Sequence, residues 1–182
     1  MKDAFALCSK LGGDTVLLVP AVVKKEVSYD DAWERSTEEI RKLLPYAEQH
    51  GVGIAIENVW NNFLVSPLEA RHYIDQFESD RVGWYMDIGN VIKYGFPEQW
   101  IRILGNRVMK IDIKDYSSDL AAEKGVWKGF EAKLGEGSVD WTAVNQALSD
   151  IGYSGWGSAE VRGGDKERLT EISARMDKLY AA

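Results

Sequence analysis

The sequence predicts an α/β protein built on a parallel sheet, and three observations predict it. After an opening helix, short apolar runs alternate with amphipathic segments five times over. The apolar runs are continuous, as strands covered on both faces should be. Four of them close on an acid: Glu57 after Gly-Ile-Ala-Ile, Asp87 after Val-Gly-Trp-Tyr-Met, Asp112 within Val-Met-Lys-Ile-Asp-Ile, and Glu160 after Trp-Gly-Ser-Ala. Parallel strands with helical crossovers end on one edge, so acids far apart in sequence meet there. One acid at a strand end says little. Four on one rim make an oxygen-rich site suited to a divalent cation. An open doubly wound sheet and a closed (β/α)8 barrel both fit this alternation. Against the first stands the lack of a Gly-rich phosphate loop in the required spacing. Against the second stands a count of five strands where a barrel needs eight.

Each element has a local reason. Asp3 to Leu11 reads as a helix closed by Gly12-Gly13, and Thr15 to Val19 as a buried strand stopped by Pro20. Asp30 to His50 is a helix with apolar Trp33, Ile40, Leu43, Leu44 and Ala47, and Gly51 stands where a C-terminal cap belongs. Pro45 is expected to kink that helix or split it. Gly53 to Ile56 is the next strand. Ser66-Pro67-Leu68-Glu69 combines an N-cap, a first-turn proline and a capping-box glutamate, starting a helix that runs to about Phe77. Val82 to Met86 is a strand, Pro97 to Leu104 a short helix, and Val108 to Ile113 a strand. Asp140 caps a helix over Trp141 to Ile151. Gly155 to Ala159 is the last strand and Asp165 to Tyr180 the last helix. Tyr116 to Val139 is the longest unpatterned stretch. A loop of that length following an acid-bearing strand is expected to cover the site.

Bulk properties narrow the class. At 182 residues, one domain with a substantial core is expected. A net charge of -7 argues against a nucleic-acid partner, because phosphate binding needs a basic face. The single cysteine, Cys8, excludes an internal disulfide and reads as a small buried hydrophobe. No apolar stretch is long enough to span a membrane, and Met1 is followed by Lys-Asp-Ala-Phe, so a cytoplasmic setting is expected. His50 and His72 lie in helical stretches and read as solvent-facing.

The alternatives at each candidate differ. Glu57 and Glu160 read as metal ligands and proton-transfer groups, or as strand-end acids that cap or pair. Asp87 reads as a ligand or as the N-cap of the next turn. Asp112 and Lys114 share a strand face, so Asp112 is a ligand or is neutralised by Lys114. Asn58, Asn90 and Lys114 are the candidate substrate-binding groups. Trp60, Trp127 and Phe130 wall a pocket or belong to the core.

With the acids placed, the chain resembles the sugar isomerase/epimerase group of the xylose isomerase-like barrels. Its nearest likeness is to the branch of L-xylulose 5-phosphate 3-epimerase and hexulose-6-phosphate isomerase. The segments that carry the likeness are Ile56-Glu57-Asn58-Val59-Trp60-Asn61-Asn62, Tyr85-Met86-Asp87-Ile88-Gly89-Asn90-Val91, Pro97-Glu98-Gln99-Trp100-Ile101, Ile113-Lys114-Asp115-Tyr116, Leu134-Gly135-Glu136-Gly137 and Trp156-Gly157-Ser158-Ala159-Glu160. They span nearly the whole chain in order. The resemblance implies a (β/α)8 TIM barrel whose divalent metal is held by Glu57, Asp87 and Glu160, with Asp112 at the position the family fills with histidine. That substitution implies either an all-carboxylate site, favouring Mn²⁺ or Mg²⁺, or a weakened one. It implies an isomerase or epimerase of a sugar or sugar phosphate acting through an enediolate, with Glu57 and Glu160 as base and acid. Two other readings follow from the same pattern: a keto-acid isomerase or dehydratase of this fold, and an inactive or binding-only remnant. Several histidines around a zinc cluster, as in the DNA-repair endonucleases of the superfamily, are not available here. Thr15 to Val19 aligns with about the fourth family strand. The chain is therefore expected to be the C-terminal portion of a barrel, incomplete at about five strand–helix units. Its unpaired edges are expected to favour homo-oligomers.

Overall fold

A computed structural model describes residues 1–181. Five strands, β1 (Thr15–Leu18), β2 (Gly53–Glu57), β3 (Val82–Asp87), β4 (Val108–Ile113) and β5 (Gly157–Ala159), form one sheet in sequence order. Every neighbouring pair is parallel. The sheet is a half-barrel, so all strand ends that carry acids lie on one rim.

Among the described residues eight α-helices accompany it: α1 (Lys2–Lys10), α2 (Tyr29–His50), α3 (Pro67–Asp75), α4 (Ile88–Val91), α5 (Pro97–Leu104), α6 (Ser118–Lys124), α7 (Trp141–Asp150) and α8 (Lys166–Tyr180). Their starts are fixed by side chains. Ser28, Ser66, Asp87, Ser117, Asp140 and Asp165 each accept a hydrogen bond from an amide of the first turn. Gly51 ends α2 with φ 66°, where a side chain would be strained. Contrary to expectation, α2 continues unbroken through Pro45. Pro45 and Arg41 are both exposed, so water can take the carbonyl of Arg41 that the proline leaves unbonded. Ile40 and Ala47, at 1% and 0% exposure, hold the helix from either side of Pro45.

Register sorts the strand residues onto two faces. The outer face carries Ile54, Ile56, Val82, Trp84, Met86, Ile111 and Ile113, buried in one core with Tyr73, Trp100, Leu104 and Val144 of the helices. The inner face holds Leu17, Gly53, Ala55, Gly83, Tyr85, Lys110 and Ser158, a largely small and polar set in which Leu17 is the exposed apolar residue.

Between β3 and β4 the register shifts: Trp84 pairs with Val108, but Tyr85 pairs with Lys110. Met109 is the extra residue, a β-bulge. Its side chain lies over Gly53 and Gly83, where an added Cβ would come within 2.9 and 2.7 Å of it. Above the bulge Asp112 stands opposite Asp87. Had β4 continued in phase from Val108, Ile111 would stand there.

No helix among the described residues is long and apolar enough to cross a membrane.

Candidate metal and active site

The rim gathers the four acids. One carboxylate oxygen each of Glu57, Asp87, Asp112 and Glu160 lie within 4.8 Å of one another. Three are taken from water: Asp87 is 0% exposed, Asp112 6% and Glu57 9%. Glu160 follows β5 on the open side and its side chain is about half exposed. Each acid owes its place to a strand. Glu57 ends β2 opposite Tyr85, and Asp87 ends β3 opposite Asp112. Asp112 in turn lies opposite Ser158, and the amide of Glu160 continues the ladder by donating to the carbonyl of Ile113 at 3.2 Å.

Asp87 fulfils its N-cap reading and also faces the cluster. Its Oδ1 accepts from the amide of Asn90 at 2.9 Å, capping α4. Its Oδ2 faces the cluster, 2.8 Å from Nζ of Lys114, yet it receives no well-directed hydrogen bond. The contact is ionic. Lys114 also reaches Glu160 at 2.7 Å and Asn90 Oδ1 at 3.5 Å. The lysine therefore pairs with Asp87 and Glu160 rather than with Asp112.

The charge balance is unfavourable without a further cation, since four acids share one ammonium. Burial, then Glu160 and Asp112, push Glu57 up to about 7. Burial and Glu160 push Asp112 up to about 6, although a hydrogen bond with Tyr85 opposes the shift. Burial raises Asp87 well above the usual carboxylate range, with Lys114 acting against it. For Glu160 burial acts upward, but hydrogen bonds with Asp87 and Lys114 outweigh it and hold the group low. Burial acts downward on Lys114, and Asp87 and Glu160 override it, so the ammonium is retained. Four crowded carboxylates, three of them resisting ionisation, with a buried Asp87 oxygen that lacks a hydrogen bond, fit a hard divalent cation. All four are oxygen donors. Neither His50 nor His72 belongs to the cluster.

Asn58 and Asn90 tie the rim together. Asn58 Oδ1 accepts from Trp84 Nε1 at 3.1 Å and from the Asp87 amide at 3.0 Å, while its Nδ2 donates to the Asp87 carbonyl at 2.8 Å. Asn90 Nδ2 donates to the Asn58 carbonyl at 2.9 Å. The Asn58 side chain is thus committed to holding β2 against β3. Asn90 keeps its Oδ1 near Lys114.

The stretch from Tyr116 to Val139 is more ordered than its sequence pattern implies. It contains α6 and a 3-10 segment, Val126–Glu131. A buried hub that sequence reasoning missed organises it: Asp115, 2% exposed. Its carboxylate accepts from the amides of Tyr116, Gly135, Gly137 and Val139 and from Trp141 Nε1. The Leu134-Gly135-Glu136-Gly137 turn was its only sequence signal; a Cβ on Gly137 would fall 2.0 Å from Asp115 Oδ1. Replacing Asp115 with alanine strands these donors. At about 1–3 kcal/mol for a buried unsatisfied group, the variant should lose at least about 3 kcal/mol in urea unfolding. A loss under about 1 kcal/mol would mean that water replaces the carboxylate.

The half-barrel, the order of its strands and the rim of acids belong to one class of proteins. The chain is a member of the xylose isomerase-like TIM barrel family, whose model matches residues 1–181. An inosose isomerase of Bacillus subtilis (strain 168) is 26% identical over 180 residues, which cover 95% of this chain and 63% of that protein. A D-psicose 3-epimerase of Ruminiclostridium cellulolyticum is 24% identical over 149 residues, 80% of this chain and 46% of that protein. An inosose dehydratase of Lacticaseibacillus casei is 24% identical over 137 residues, 70% of this chain and 46% of that protein. The chain thus spans about half the length of several curated relatives it matches. Among solved structures, the IOLI protein with a bound zinc atom superposes with a TM-score of 0.80 at 21% identity, covering 99% of this chain and 67% of that one. At that identity the likeness is one of fold.

Proposed function

We propose that this chain carries the metal and proton-transfer groups of a divalent-metal-dependent isomerase or epimerase acting on a sugar or sugar phosphate. The observation that supports this most is the convergence of four carboxylates from four strand ends within 4.8 Å. Glu57, Asp87, Asp112 and Glu160 would hold the ion, and an oxygen-only set favours Mn²⁺ or Mg²⁺. The ion would supply stabilisation of the oxygen charge that grows when a proton leaves the carbon beside a carbonyl.

The remaining chemistry belongs to the chain. Glu57 and Glu160 stand on the outermost of the four acid-bearing strands, with β3 and β4 between them. One removes the proton and the other returns it to the opposite side of the planar enediolate, which inverts the centre. Glu57, raised to about 7, is matched to a base working near neutral pH. Glu160 is the group that keeps contact with solvent and with Lys114. Lys114 is the candidate for holding a substrate oxygen, Asn90 borders it, and Asn58 keeps the two strand ends in place. The dehydratase reading uses the same proton abstraction, and an inosose dehydratase among the relatives favours keeping it as the second choice.

The test is a calorimetric titration with Mn²⁺ of the unaltered chain and of Asp87→Asn. Asparagine keeps an oxygen for the α4 cap but removes the buried charge. Outer-shell changes alone weaken metal sites about 10–100-fold, so Asp87→Asn should lose at least that much. Equal isotherms, or no metal binding by the unaltered chain, would overturn the reading.

A further inference from the structure

Beside the acid cluster lies a recess that the proton-transfer scheme does not use. It measures about 290 Å³ and is lined by Val59, Trp60, Asn90, Lys114, Trp127 and Phe130. Its floor is polar and joins the candidate metal site through Lys114, which touches Asp87 and Glu160. Its walls are aromatic. Trp60 packs against Trp127 at 5.0 Å and against Phe130 at 4.8 Å between ring centroids.

Two features set these rings apart from ordinary core. Trp127 is 67% exposed, so most of its surface faces water beside the recess. An exposed indole is a poor surface residue and a good contact residue. The Trp60 ring and the segment that carries Trp127 are also tied to their neighbours. Trp60 Nε1 donates to the Asn90 carbonyl at 2.9 Å. Trp127 belongs to the Val126–Glu131 segment, whose flank is pinned by Tyr116 Oη donating to the Val126 carbonyl at 2.9 Å. The Ser117 amide donates to the Gly129 carbonyl at 2.9 Å, and Gly129 lies so close to Tyr116 that a Cβ would meet its ring at 2.3 Å. The Lys93 ammonium lies 4.5 Å from the Trp60 ring centre, adding N–H donors at the rim.

An exposed indole backed by a second ring, beside the Lys114 ammonium and Asn90, matches one ligand chemistry. A pyranose ring has an apolar face of C–H bonds and an equator of hydroxyls. We propose that Trp127, backed by Trp60, forms a stacking subsite for a sugar ring in its closed, pyranoside form, placed next to the four acids. The substrate would then be a pyranoside or a ring-form sugar rather than an open-chain ketose alone. That a sugar is the ligand rests on the isomerase reading above; the ring form rests on the aromatic wall.

The experiment uses saturation-transfer NMR on the full chain with three unreactive probes: methyl β-D-glucopyranoside, cellobiose and open-chain glucitol. Trp127→Ala and Trp127→Phe are compared with the unaltered protein, and Mn²⁺ titrations are run on the same samples. The pyranosides should receive saturation, most strongly on the C–H protons of one ring face, and glucitol should not. Trp127→Ala should weaken pyranoside binding at least about 10-fold, about 1.4 kcal/mol, and Trp127→Phe should restore most of it. Mn²⁺ binding should not change. Equal binding of glucitol, no pyranoside binding, or an unchanged Trp127→Ala protein would each overturn the subsite. Because Trp127 is largely solvent-exposed, the variants should keep the parent's melting temperature, which separates loss of a contact from loss of the fold. Metal binding without pyranoside binding sinks the subsite and leaves the metal reading standing. Pyranoside binding without metal binding does the reverse.

Discussion

Glu57→Gln and Glu160→Gln should each abolish epimerisation of a ketose substrate, and each should abolish exchange of the proton beside the carbonyl with solvent deuterium for the one epimer whose proton faces the replaced group. Positioned general acids and bases contribute about 10²–10⁴-fold, and an amide can neither take nor return the proton. The two variants should not be equivalent. Glu57 is the more buried and is raised to about 7 by burial, Glu160 and Asp112. Glu160 is held low by hydrogen bonds with Asp87 and Lys114 that outweigh its burial. A substrate presenting its proton to the Glu57 side should therefore lose exchange in Glu57→Gln and retain it in Glu160→Gln, while its epimer shows the opposite pattern. Proton NMR in deuterated buffer separates the two. Full exchange in both variants would mean that neither carboxylate is the base, and the dehydratase and isomerase readings would fall together.

Metal binding should be strongly pH-dependent and should release protons. The free cluster retains protons that an ion must displace: Glu57 titrates at about 7 and Asp112 at about 6, both raised first by burial. Asp87 is raised as well. Affinity for Mn²⁺ should thus climb as pH rises from about 5 to 8, by up to about tenfold per pH unit for each proton displaced. Calorimetry in two buffers of different ionisation enthalpy reads the proton count directly. The sign for stability is opposite in the metal-free chain. An unfolded glutamate loses its proton near 4.5, whereas folded Glu57 keeps it until about 7. Between those values the folded state binds more protons, so metal-free stability falls as pH rises through the window and levels off above it. Saturating Mn²⁺ should flatten or invert that slope. A metal affinity independent of pH would show that the acids are already ionised and that Lys114 neutralises them more fully than its two contacts imply.

The sequence made the strands, most helices and the four acids legible because each has a local cause. Continuous apolar runs mark buried parallel strands, and Ser66-Pro67-Leu68-Glu69 starts α3 where it should. What stayed hidden depends on contacts between segments. The bulge at Met109 has no local signature, because two glycines on other strands, Gly53 and Gly83, make room for it. Unbroken alternation along β4 would place Val108 on the same face as Asp112, whereas the structure turns Val108 into the core and Asp112 to the rim. The choice of Lys114 for Asp87 and Glu160 is likewise a matter of which strand ends meet. Pattern reading took Tyr116 to Val139 as irregular because its ordering centre, Asp115, binds amides up to 24 residues away. The helix α6 is short and has no fully buried residue, so it shows no apolar stripe to find.

The bulge also decides where the chain tolerates a change in length. In a regular strand, removing one residue turns every later side chain to the opposite face. At Met109 this coupling is broken. Losing that residue would let Val108 and Lys110 follow directly as partners of Trp84 and Tyr85, leaving Asp112 opposite Asp87. The cost would be an unfilled space above Gly53 and Gly83. Losing Lys110 is absorbed in the same way, because Met109 then follows Val108 as the partner of Tyr85 and Asp112 again stands opposite Asp87. An insertion between Lys110 and Asp112, by contrast, would turn Asp112 to the opposite face without altering a single acid. Changes of length in β4 therefore fall into two kinds: a loss that the bulge absorbs as lost packing, and a gain that reaches the acids as a change of parity.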